Sequence, residues 1–210
     1  MAEMNYEILK DNLVLVEGHD EELFFEALLR HMDINVVQIL PIAGKDNLRE
    51  RLKMLVASPR FSEVVSLGIV RDADTNPGGA FQSVCGALEI VNLPVPEFPL
   101  LPTGRGPQVT VMILPDGNTP GMLEDVCLRT IGEDPAMFCV EEFFKCLQER
   151  NVSMPRNNSK ARVQVFLGSR LEAGKRLGEA AQAGYWPWDH IAVEQIKNFL
   201  MRFSTIMNLE

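Results

Sequence analysis

Three short stretches of the chain carry paired carboxylates: Glu17 and Glu21 in VEGHDEE, Asp72 and Asp74 in VRDADTN, and Glu124 and Asp125 in GMLEDV. In extended backbone, residues two apart point the same way, so Asp72 and Asp74 are expected to face one pocket. Carboxylates held that close repel and raise each other's pKa, and a divalent cation relieves both. Hard oxygen donors with open positions suit Mg²⁺ or Mn²⁺. Each acid alone has a plainer reading: acids at helix starts favour the macrodipole, and DADTNPGG resembles an ordinary turn. On the ExxxE spacing, Glu17 and Glu21 would share a helix face, although Glu17 precedes the helix.

Alternating elements place these acids. Leu13–Val16 is a short apolar run, and the repeat of Leu23, Phe24, Ala27 and Leu28 makes Asp20 to about His31 a helix. Residues 35–42 read as a second strand, with Pro41 marking an end or an edge. A helix over 46–57 follows, with Asp46 as candidate cap. Residues 64–70, almost wholly apolar, form a third strand that runs into Arg71, Asp72 and Asp74. Gly78 and Gly79 then turn the chain into a helix over 80–91. A proline-rich loop over 93–107 leads to a fourth strand, Val109–Leu114, and Thr119–Pro120 reads as cap and first helical position of the next helix.

Continuously apolar strands alternating with helices indicate a mainly parallel four-stranded sheet covered on both faces. Ligands gather at the carboxyl ends of such strands, where Glu17 and Asp72 fall. Beyond the α/β core, residues 1–132, the segments over 134–149, 159–169, 173–183 and 190–204 form a helical C-terminal extension, residues 133–210, expected to pack on the core as one unit.

Composition sets limits. The 210 residues are 46% hydrophobic with a formal charge of −9, which fits a globular protein with a real core and argues against nucleic-acid binding over the whole surface. No stretch is apolar enough for a membrane span, and MAEMNYEILKDN lacks the features of a signal peptide, so a cytoplasmic protein is expected. Cys85, Cys127, Cys139 and Cys146 never approach a CxxC spacing and are expected to be reduced packing residues. Between residues 156 and 176, six basic residues (Arg156, Lys160, Arg162, Arg170, Lys175, Arg176) stand against one acid, Glu172. That is either a solvated helical face or a local phosphate-facing surface. Lys45, after the second strand, is a candidate for contacting a phosphate or offsetting developing charge, its plain reading being a solvated helix-entry lysine.

LVLVEGHDE and LGIVRDADTN together resemble the Toprim domain shared by topoisomerases, primases, recombination mediators and OLD-type nucleases, in order and spacing over residues 12–114. A closer resemblance, to a bacterial family of Toprim-related proteins of unknown function, spans nearly the whole chain through VEGHDE, AGKDNL, LGIVRDAD, TPGMLED, SKARVQVFLGSR and AGYWPWD.

The Toprim resemblance implies Glu17 as the glutamate after the first strand and Asp72 and Asp74 as its DxD. Asn76 stands where many relatives have a third aspartate. Similarity to OLD-type nucleases implies Glu17 and Glu21 as their ExxxE, with Glu124 as the later acid and Lys160 as the lysine near the metals. The implied site is therefore Glu17, Glu21, Asp72, Asp74 and Glu124 around Mg²⁺ or Mn²⁺, with Glu17 and Lys160 in catalytic roles, to which Lys45 is added on its position after the second strand. The implied chemistry is nuclease-like phosphodiester or phosphoryl transfer on nucleic acid, reached through Arg156, Lys160, Arg162 and Arg170. The alternative is a non-catalytic module that binds a nucleotide, nucleic acid or protein. No GxxxxGK[ST] segment accompanies the site, and no tyrosine nucleophile is evident.

Overall fold

The computed structural model describes residues 7–205. Its centre is a four-stranded, wholly parallel sheet of β1 (Asn12–Val16), β2 (Val37–Pro41), β3 (Ser66–Asp72) and β4 (Gln108–Leu114), in the order β2-β1-β3-β4. The apolar runs read from the sequence are these strands, and β2, which ends on Pro41, lies at an edge. The opposite edge, β4, is covered by the proline-rich loop: Leu100 N–H donates to Val111 O at 2.8 Å, and Thr103 and Val109 exchange backbone bonds of 2.9 and 2.7 Å.

Strand alternation sorts the core into two layers. Val14, Val16, Val70 and Met112 pack with Phe24, Phe25 and Leu28 of α1 (His19–His31). Leu13, Leu15, Leu67, Ile69 and Val111 pack with Leu52 and Leu55 of α2 (Leu48–Val56) and with Val84 and Leu88 of α3 (Pro77–Ile90). The first layer also holds α4 (Leu123–Thr130) and residues of the C-terminal helices α5 (Pro135–Glu149), α6 (Asn158–Gly168), α7 (Leu177–Gln182) and α8 (Glu194–Thr205). Val163, Phe166, Trp186 and Phe199 thus share one core with Val14 and Phe24. Trp186 stacks on Phe166 and donates from Nε1 to Leu177 O at 3.1 Å.

Several boundaries differ from expectation for identifiable reasons. A tight turn, Lys45–Asn47, precedes α2, so Asp46 does not cap it. Val64 closes another turn, Pro59–Glu63, while pairing with β4 as far as Asp72–Leu114 carries β3 through Arg71 and Asp72. Asn76 caps α3 through Gly79 N–H at 2.9 Å, placing Gly78 and Gly79 inside the first turn. Thr119 gives its hydroxyl to Asp116 Oδ2 at 2.7 Å, so α4 starts later, at Leu123. Of the cysteines, Cys85 and Cys127 are buried as expected; Cys139 and Cys146 are exposed on α5, on the side away from the core.

Candidate functional site

The carboxyl ends of β1 and β3 lie side by side, and backbone bonds bring three loops to them. Ile42 N–H donates to Val16 O at 2.9 Å and Gly44 N–H to Glu17 O at 2.8 Å, which holds Lys45 beside the end of β1. Asp74 and Gly121 exchange backbone bonds of 2.9 and 2.8 Å, tying the end of β3 to the approach to α4. Gly121 has φ +143, and a Cβ there would sit 2.8 Å from Asp125 Oδ2, so this crossing admits glycine alone without rearrangement.

Asp125 links the next two helices. Its Oδ2 accepts from Met122 N–H at 2.8 Å, capping α4, and its Oδ1 accepts from the Ser159 hydroxyl at 2.5 Å. Asn157 Oδ1 accepts from Lys160 N–H at 2.9 Å, capping α6. The start of α6 is thereby fixed over that of α4, and Lys160 Nζ lies 3.7 Å from Glu124 Oε1.

The result is an acidic sheet edge divided between the two faces. On the α1–α4–α6 side, Asp72 is buried, with Oδ1 accepting from Leu123 N–H at 3.1 Å at the start of α4. Burial pushes its pKa well above the ordinary carboxylate range, and Glu17, Glu21 and Glu124 push the same way. Glu21 is raised by burial and then chiefly by Glu124, and Glu124 is raised by burial although Lys160 pulls it down. For Lys160, burial works against the ammonium, but Glu124, Asp72 and Glu21 outweigh it and raise its pKa.

On the α2–α3 side, Arg71 shares strand parity with Ile69 and meets Glu17, Nε to Oε1 at 2.9 Å. The N–H is not aimed at that oxygen, so the contact is one of charge without a hydrogen bond. Glu17 Oε1 instead accepts from Asp72 N–H at 3.2 Å. Burial raises the Glu17 pKa, with Arg71 the main opposing influence. Asp74 lies beyond the end of β3 at φ +51, and its Oδ2 takes Lys45 Nζ at 2.6 Å. The extended alternation that would aim it alongside Asp72 therefore stops before Asp74.

The structure thus joins Glu17, Glu21, Asp72, Glu124 and Lys160 in one electrostatic group, with Lys45 and Asp74 paired at its flank. Arg71 was not among the candidate site residues; its signal was a cation at the end of an apolar run, directly before Asp72. Among the described residues no three Asp, Glu, His or Cys side chains converge on an ion-sized point as they are placed. The donor chemistry nonetheless fits a hard cation, because four carboxylates are held in mutual repulsion, and Mg²⁺ needs only one or two of them beside its waters.

The basic segment is partly occupied. Arg162 makes two bonds to Glu141, of 2.8 and 3.0 Å, and Arg170 makes bonds of 3.0 and 3.3 Å to Asp134. Lys175 pairs with Glu172 at 2.8 Å. Lys160 remains exposed beside Glu124, and Arg156 is also exposed.

These features define a parallel α/β protein with a carboxylate cluster at the carboxyl edge of its sheet. The chain belongs to the family described as a protein of unknown function, DUF3226, whose model matches residues 11–205. Among solved structures, it is similar to a hypothetical protein from Pyrococcus horikoshii OT3, with 16% identity, 96% of each chain covered and a TM-score of 0.59. It is also similar to the C-terminal region of the OLD protein of Xanthomonas campestris pv. campestris, with 12% identity over 94% of this chain and 98% of that one and a TM-score of 0.51. The C-terminal region of the Burkholderia pseudomallei OLD protein matches with 14% identity, 93% and 100% coverage and a TM-score of 0.51. At these identities the likeness is one of fold. No curated protein matches the chain. No helix among the described residues is long and apolar enough to cross a membrane.

Proposed function

We propose that this is a Toprim-type protein that carries out Mg²⁺- or Mn²⁺-dependent phosphodiester or phosphoryl-transfer chemistry on nucleic acid, in a cytoplasmic setting. The observation that carries the reading is the group of Glu17, Glu21, Asp72 and Glu124, each with its pKa raised first by burial and each near another acid. A protein that gains nothing from those charges has no stability reason to bury them together. The fold shared with C-terminal regions of OLD proteins supports the same reading.

A divalent cation held there would supply Lewis-acid polarisation of a phosphoryl oxygen. Asp72, Glu21 and Glu124 are the acids from which its one or two carboxylate ligands on the α1–α4–α6 side would come, with Asp74 available once Lys45 releases it. Glu17, raised by burial and restrained by Arg71, is the group that accepts and returns a proton. Lys160 keeps its charge and offsets charge developing on the phosphoryl oxygens. Lys160 and Arg156 guide the polynucleotide, while Arg162 and Arg170 secure the helices behind them.

A second reading, a non-catalytic binding module, is favoured by two contacts: Arg71 and Lys45 already neutralise Glu17 and Asp74. The test is incubation with Mg²⁺ or Mn²⁺ and single-stranded, duplex and structured DNA and RNA, beside Asp72→Asn and Glu17→Gln. Metal-dependent cleavage abolished in both variants is expected. Metal binding without turnover on any substrate would replace catalysis by the binding module.

A further inference from the structure

On the α2–α3 side of the sheet edge, a cavity of about 320 Å³ is lined by Lys45, Arg49, Arg71 and Ser83, with the carboxylates Asp46 and Glu50 at its wall. Glu50 is turned away to Lys53, Oε1 to Nζ at 2.8 Å. Arg49 is exposed and forms no ion pair among the described residues. Arg71 is the unusual member. Its side chain is only 9% exposed, yet its Nε makes no hydrogen bond, and its Nη1 reaches only Lys45 O, at 3.5 Å. A guanidinium is a fork of five donors shaped for paired oxygens. Glu17 Oε1, 2.9 Å from the Arg71 Nε, offsets its charge without taking a hydrogen bond, so the outer donors of the fork remain open to the oxygens of a second anion.

We propose that this cavity is a phosphate subsite. Arg71 grips two phosphate oxygens from the cavity floor, Arg49 closes on the anion from α2, and Lys45 swings from Asp74 to a third oxygen. The ligand is a phosphate group, either terminal on a polynucleotide or free in solution. The subsite depends on Arg71 and Arg49 and not on a metal at the carboxylate cluster, so it stands whether or not the protein cleaves anything.

The test uses the full chain in the presence of a chelator at low ionic strength. Calorimetry measures binding of inorganic phosphate, and fluorescence anisotropy compares oligonucleotides ending in 5′-phosphate and 5′-hydroxyl. Arg49→Glu, at an exposed position that leaves the core untouched, and Arg71→Lys, which keeps the charge but removes the fork, are each expected to weaken phosphate binding by about tenfold or more, the loss of a charge-assisted contact. Lys145→Gln on the distant α5 is expected to change nothing. A preference for the 5′-phosphate end identifies a polynucleotide terminus as the source; equal oligonucleotide affinities with phosphate binding retained identify the free anion. No phosphate binding by the parent chain, or equal binding by the parent, Arg49→Glu and Arg71→Lys, overturns the subsite. Cleavage activity enters none of these readouts, so loss of the nuclease reading leaves the result intact.

Discussion

Arg71 and Asp72 are neighbours on β3 that serve opposite faces of the sheet: Arg71 Nε lies 2.9 Å from Glu17 Oε1 toward α2 and α3, while Asp72 Oδ1 accepts from Leu123 N–H at 3.1 Å toward α4. Strand alternation puts a cation and a buried acid within one residue of each other without letting them neutralise one another. The Asp72 carboxylate is left among Glu17, Glu21 and Glu124.

That placement predicts a stability cost. The folded-state pKa of Asp72 is raised, so between the ordinary carboxylate pKa and the raised value the folded protein holds a proton that the unfolded chain has lost. Stability of the metal-free protein therefore falls as pH rises through that window. Asp72→Asn keeps the acceptor for Leu123 N–H and removes the charge. Its thermal midpoint without metal is expected to exceed that of the parent at neutral pH, by about 2–4 °C for each kcal/mol regained, with a flatter pH dependence. A midpoint below the parent's across the neutral range would contradict the electrostatic account.

Lys160 and Arg162 are two residues apart but differ in their engagement. Lys160 is 59% exposed at the site, whereas Arg162 is held by Glu141. Lys160→Gln is expected to weaken nucleic-acid binding and to lower the salt dependence by about one phosphate contact. Arg162→Gln is expected to leave both nearly unchanged and to cost about 0–1 kcal/mol of stability, as exposed pairs do. Salt titrations of binding compare the two; an equal loss in both variants would return Arg162 to the binding face.

The extension's contact with the core also has a checkable weak point. Gly178 on α7 donates to Asp20 Oδ1 at 3.2 Å, and a Cβ at Gly178 would lie 2.6 Å from the backbone oxygen of Asp20. Backbone cannot yield as a side-chain tip can, so Gly178→Ala is expected to destabilise by about 1–3 kcal/mol and to shift α1, which carries Glu21. Thermal melts and metal affinity should fall together. An unchanged melt would mean that α7 and α1 tolerate separation.

The strands and their parallel direction were legible because apolar runs bounded by turns, alternating with helices, signal buried strands whatever surrounds them. The site was legible less evenly. Glu17 and Asp72 stand at strand ends, where alternation and topology determine position. Asp74 does not, since its φ of +51 follows from pairing with Gly121, a contact made by a loop far along the chain. Thr119 carries the cap-then-proline pattern, but Asp116 takes its hydroxyl. The partners of Arg162 and Arg170, Glu141 on α5 and Asp134 at its N-cap, lie 21 and 36 residues away, so charge counting along the segment overstated its free positive charge. Local patterns carry no information about such long-range partners.

The central claim, that the carboxylate cluster takes a divalent cation, is tested most directly by calorimetric titration of Mn²⁺ near pH 7 in two buffers of different ionisation enthalpy. Carboxyl groups with raised pKa values must give up protons to bind metal. Saturable binding with proton release is expected in the parent chain, and loss of both in Asp72→Asn. Absence of binding at millimolar metal, or binding indifferent to Asp72→Asn, would contradict it.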